Sequence, residues 1–103
     1  KTGCIDIDDA KKRINKKTAG IIFVYMFGIV PESVIKLKKI CKNKNIFLLE
    51  DAAHGHGGSV GKYTVGSIGD AACFSFYATK ILTCGEGGII TTNNLNLKKN
   101  AHR

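Results

Sequence analysis

Residues 20–51 decide the fold: Gly20-Ile21-Ile22-Phe23-Val24-Tyr25, then Pro31 to Asn45 after a short link, then Ile46-Phe47-Leu48-Leu49-Glu50-Asp51. The first block is a continuous β-branched and aromatic run, the pattern of a parallel strand covered on both faces, and it predicts an interior strand. Pro31 suits the first position of a helix, and Val34, Leu37, Ile40 and Cys41 recur at three- and four-residue intervals. A helix over Pro31 to Asn43 follows, stopped by the polar Lys42-Asn43-Lys44-Asn45. Ile46 to Leu49 is a second short strand that runs into Glu50 and Asp51. Strand, helix, strand calls for a right-handed crossover and a parallel sheet, in which ligands gather beyond the carboxyl ends of the strands. Asp51 stands at such an end.

Working outward, Asp6 to Asn15 carries its acids early and its bases late, as a short helix complementing its own dipole does. Gly55 to Gly69 holds six glycines and reads as turns, with a small hairpin around Lys62-Tyr63. Ala71 to Tyr77 is a third strand, Ile89 to Thr92 a fourth, and Leu95 to His102 begins a further helix. The resulting class is α/β.

The chain has 103 residues, 44% of them hydrophobic and 23% charged, which suits a single soluble domain with a modest core. The longest apolar stretch, Ala19 to Val30, contains Gly20 and Gly28 and is too short to cross a bilayer, and no charged-then-apolar leader opens the chain. No membrane partner is expected. Cys4, Cys41, Cys73 and Cys84 are widely spaced without a CxxC pair, which points to reduced thiols in the cytoplasm. The formal net charge of +8 raises nucleic-acid binding, but Lys36, Lys38, Lys39, Lys42 and Lys44 alternate with apolar residues as the wet side of an amphipathic helix. With no recognition module or aromatic platform, no nucleic-acid partner is expected.

Four residues carry the chemistry: Asp51 and His54 after the second strand, Ser75 in or at the end of the third, and Lys80 in the turn beyond it. Singly, each has an ordinary reading as a turn former, a surface polar group or a solvated charge. Together they supply what pyridoxal 5'-phosphate requires: an amine for a Schiff base, a carboxylate opposite the pyridinium nitrogen and a donor for the phosphate. An ionised Asp51 would keep the ring nitrogen protonated, so that the ring can draw off carbanion electrons.

The residues Leu49-Glu50-Asp51-Ala52-Ala53-His54-Gly55-His56-Gly57, Val65 through Lys80, and Gly85-Glu86-Gly87-Gly88 resemble the sugar aminotransferases of the DegT/DnrJ/EryC1/StrS family. Tyr25-Met26-Phe27-Gly28 is similar to that family's strand end and following glycine, so the likeness covers nearly the whole chain. It implies the aspartate aminotransferase fold: a partial three-layer α/β/α sandwich with a mainly parallel sheet, residues 1–103 forming the central part of the large domain. An N-terminal part and a C-terminal small domain would be absent, leaving the segment alone inactive. The resemblance assigns Asp51 to the pyridine nitrogen, His54 to the ring face, Ser75 to the phosphate, and Lys80 to the aldimine and to proton transfer. It also implies a nucleotide-linked keto sugar as acceptor, L-glutamate as donor, and a homodimer. Lysine at position 80, where related dehydratases carry histidine, favours transfer. Ile81 departs from the asparagine common after that lysine.

Other readings explain less. His54, His56, Asp51 and Glu50 offer imidazoles and carboxylates to a metal, but this leaves Ser75 and Lys80 without a purpose, so no metal is expected. Gly85-Glu86-Gly87-Gly88 lacks the Lys-Ser/Thr ending of a P-loop and reads as a tight turn. The remaining competitor is a truncated, non-catalytic binding or structural module.

Overall fold

The computed structural model describes residues 3–101. Their order is α1 (Ile7–Arg13), β1 (Gly20–Val24), a 3-10 turn (Met26–Gly28), α2 (Ser33–Lys44), β2 (Phe47–Asp51), β3 (Ser59–Val60), β4 (Tyr63–Thr64), β5 (Ala71–Ser75), β6 (Gly88–Thr91) and α3 (Leu95–Ala101). His102, the expected end of the last helix, lies outside the described residues.

Asp6 starts α1: its carboxylate accepts from the N–H groups of Asp8 and Asp9 at 2.9 and 3.0 Å, and the acids and bases then sit at the ends the dipole favours. The second helix begins two residues later than expected. Pro31 lies in the preceding turn, its carbonyl accepting from the Val34 N–H at 3.1 Å. Asn45 ends α2 in the left-handed conformation, φ 53°, with its N–H closing on the Cys41 and Lys42 carbonyls.

The main sheet runs β1-β2-β5-β6, with β1, β2 and β5 parallel and β6 antiparallel to β5, so it is mainly parallel as expected. The hairpin foreseen at Lys62-Tyr63 is the β3–β4 pair. Alternation along the strands sorts the sheet into two faces. Phe23, Leu48, Glu50 and Ala72 are buried on one, under Val34, Leu37 and Cys41 of α2. Ile22, Val24, Leu49, Asp51 and Cys73 share the other, where Ile22 is 62% and Val24 44% exposed.

The interior position expected for β1 is not seen among the described residues, where β1 forms an edge of the sheet and only its Phe23 face is covered. A β-branched run packs well against a neighbour on either face, and its composition alone does not say whether both neighbours are present. The sandwich consists here of a helical layer, α1 and α2, on one face of the sheet.

Candidate functional site

Asp51 is the last residue of β2 and Ser75 the last of β5, so both stand at carboxyl ends of neighbouring parallel strands. Asp51 is in register with Cys73, and Ser75 follows two residues later, which puts Asp51 and Ser75 on the same face. Beyond β2 the chain turns sharply. Asp51 Oδ1 accepts from the Ala53 N–H at 3.1 Å, and the Ala52 carbonyl accepts from Gly55 at 2.9 Å, which presents His54 at the tip. Gly28, at φ +76°, abuts this turn so closely that a Cβ would lie 2.9 Å from the His54 carbonyl oxygen. Only glycine allows both that conformation and that approach.

Lys80 is half-buried in the turn after β5, which closes through its N–H to the Tyr77 carbonyl at 2.9 Å. The segment returning to β6 is pinned at Phe76, whose N–H donates to Gly87 at 2.8 Å and whose carbonyl accepts from Cys84 at 3.1 Å. Gly85-Glu86-Gly87-Gly88 is the expected turn into β6, and Gly88 is required because a Cβ would meet the Phe74 carbonyl at 2.9 Å.

A cavity of about 420 Å³ opens between the three turns, lined by Phe27 and Gly28, by Ala53, His54 and His56, and by Thr79, Lys80 and Ile81. It brings His54 and Lys80 together. Asp51 and Ser75 do not line it; they stand on the adjoining sheet face at the same end of the strands. A larger cavity, about 790 Å³, lies at the opposite end, among Lys38, Lys42, Asn45, Phe47, Asp70 and Asn94, away from all four residues. Chemistry in parallel sheets belongs to the carboxyl ends, so the smaller cavity is the candidate site.

Two residues weighed only as metal ligands have other places. Glu50 is fully buried and accepts four hydrogen bonds, from the Tyr25 hydroxyl at 2.6 Å and from the N–H groups of Gly66, Ile68 and Gly69 at 3.1, 2.9 and 2.6 Å. Its carboxylate is saturated and faces away from Asp51, so the two cannot share an ion. The strand period signals this, because consecutive residues point to opposite faces. His56 lies between Phe74 and Phe76, with both ring nitrogens buried. No sequence signal marked it as lining the cavity.

The sequence pattern of the DegT/DnrJ/EryC1/StrS aminotransferase family matches residues 1–103. GDP-perosamine synthase of Vibrio cholerae is 34% identical over 90 residues, covering 87% of this chain and 24% of the relative. The solved structure of Helicobacter pylori PseC, an aminotransferase involved in the biosynthesis of pseudoaminic acid, superposes with a TM-score of 0.89 at 35% identity, covering 95% of this chain and 26% of that one. The E. coli GDP-4-keto-6-deoxy-D-mannose-3-dehydratase with bound hydrated PLP gives 0.81 at 29% identity, covering 90% and 24%. The chain thus spans about a quarter of the length of the relatives it matches.

Proposed function

Because this chain belongs to the DegT/DnrJ/EryC1/StrS aminotransferase family, we propose that it is the central part of the large domain of a pyridoxal-phosphate-dependent sugar aminotransferase. The reaction moves an amino group from L-glutamate to a nucleotide-linked keto sugar, in a cytoplasmic homodimer making amino sugars. By their names, one of these relatives makes GDP-perosamine, one is an aminotransferase involved in pseudoaminic acid biosynthesis and one acts on a GDP-linked keto sugar, which supports this substrate class.

The residues fit the cofactor by the chemistry of the donor set. An amine and an imidazole share one cavity, and a carboxylate and a hydroxyl end the two strands beside it. Once bound, pyridoxal phosphate supplies an electron sink for the charge left when a proton leaves the amine-bearing carbon. Lys80 would hold the cofactor through its amine and would carry the proton at its Nζ. The Asp51 carboxylate would hold a positive charge on the ring nitrogen, a role that requires it to be ionised. Ser75 Oγ would donate to the phosphate, and His54 would offer its imidazole to the ring. Phe27 and Ile81, each 84% exposed at the cavity mouth, offer apolar surface for excluding water.

The observation that carries this reading is the convergence of Lys80 and His54 on one cavity at the end of the sheet where Asp51 and Ser75 terminate neighbouring strands. The test is the visible spectrum of the protein expressed from its complete reading frame and supplied with pyridoxal phosphate. A band that is present in the wild type and lost in Lys80→Ala supports the reading. No band, or the same band in both, rejects it.

A further inference from the structure

Tyr25 is fully buried where β1 ends, and it reaches two of the turns that form the candidate cavity. Its N–H donates to the Asp51 carbonyl at 3.1 Å, and its own carbonyl accepts from the Gly28 N–H at 3.0 Å. Its ring lies under the turn that carries His54, where a Cβ on Gly55 would stand 3.4 Å from ring carbon Cδ2. Its hydroxyl donates to Glu50 at 2.6 Å, and the same carboxylate accepts from the N–H groups of Gly66, Ile68 and Gly69. Phe27, Gly28 and His54 line the cavity, whereas Tyr25 and Glu50 do not, so whatever this pair does for a ligand it does through those neighbours. A buried network in which every member is satisfied holds its parts in one arrangement. The hydroxyl bond ties the ring beneath Gly55 to a carboxylate that three N–H groups already fix.

From this connection we infer that Tyr25 and Glu50 are positioning residues for the cofactor: their hydrogen bond sets where Asp51, the Phe27–Gly28 turn and the His54 turn stand relative to one another. The inference rests on the proposed function, which supplies the ligand whose fit depends on that spacing. Displacement of a binding group by about 1 Å is enough to weaken a site strongly. A pair that only held the fold together would change the stability of the protein and leave the binding properties of the folded molecule as they were.

The experiment titrates pyridoxal 5'-phosphate into the cofactor-free protein, expressed from its complete reading frame, well below the thermal midpoint of every variant compared. Tyr25→Phe keeps the ring and the main-chain bonds and loses only the hydroxyl. It binds about tenfold more weakly than the wild type, the ratio equivalent to one hydrogen bond to a charged group. The pH at which its visible band changes also moves, because the Asp51 charge no longer stands at the same distance from the ring nitrogen. Combining Tyr25→Phe with Glu50→Gln costs less than the product of the two single effects, since both remove the same bond. Cys41→Ala, which removes buried bulk at the opposite end of the sheet, binds as the wild type does. If Tyr25→Phe keeps the wild-type affinity and band, or if Cys41→Ala binds as weakly as Tyr25→Phe, the inference is overturned. Should Tyr25→Phe fail to fold, hydrogen exchange of the wild type decides, because linkage is reciprocal. The cofactor then slows exchange at Gly66, Ile68 and Gly69, which do not line its cavity, more than at the amides of α2, and equal slowing overturns the inference. A wild type without a visible band rejects the proposed function, whereas a band whose affinity and pH response ignore Tyr25→Phe rejects only the positioning role.

Discussion

The Tyr25 hydroxyl, at the end of β1, donates a 2.6 Å hydrogen bond to Oε2 of Glu50 in the middle of the sheet. The same carboxylate takes the N–H groups of Gly66, Ile68 and Gly69, so one buried charge joins two strands to the loop that precedes β5. Asp51 is the next residue and points to the opposite face. The strand end that presents it is anchored from beneath.

Glu50→Gln keeps the shape but turns one acceptor oxygen into an NH₂ group facing two donors. The expected loss is about 2–4 kcal/mol of stability, the range for breaking a buried charged network. Urea denaturation measures it as a lower midpoint at unchanged slope.

Burial, with the hydrogen bond to Glu50 second, pushes the Tyr25 phenol well above its ordinary value. Its folded value lies above its unfolded one, so this contribution to stability is complete below about pH 10 and declines as pH rises from there, when the unfolded chain alone gives up the proton. Stability measured from pH 8 to 11 should fall more steeply in the wild type than in Tyr25→Phe.

Gly28→Ala must place a Cβ at positive φ and 2.9 Å from the His54 carbonyl. A loss of about 1–3 kcal/mol follows from strain of that kind. The backbone amide signals of residues 53–56 should shift with it in NMR spectra, because the two turns pack on each other.

Cys41 is buried at 2% exposure, and burial, helped by the Asp70 carboxylate, raises its thiol pKa, whereas Cys84 is exposed. Thiolate is the reactive form, so pulsed alkylation should label Cys84 in the folded protein and Cys41 only as urea unfolds it. Mass spectrometry of the labelled peptides gives the order.

The strand-helix-strand core, the β3–β4 hairpin and the turn at Gly85–Gly88 were legible because each follows from local periodicity or glycine placement. The edge position of β1 was not, since which strands flank it depends on pairings such as Val24 with Asp51, far apart in the chain. Pro31 marked the start of α2 only to within two residues, because proline suits the preceding turn as well as the first helical position. Asp51, His54, Ser75 and Lys80 could be picked by residue type and order. Their division between a cavity and a sheet face could not, because strand register and the folding back of three turns set it. Glu50 and His56 were weighed only for a metal reading that was set aside, and their actual places were not legible: their partners, Tyr25 and the 66–69 loop for one and Phe74 and Phe76 for the other, come from distant segments.

The central claim is that Lys80 is the residue holding the cofactor. Borohydride reduction of the pyridoxal-phosphate-treated protein, followed by peptide mass spectrometry, fixes the cofactor to whichever lysine carries it. The account predicts the added mass on Lys80, stoichiometric and absent from Lys80→Ala. Modification spread over the exposed lysines of α2, or unchanged in Lys80→Ala, would contradict it.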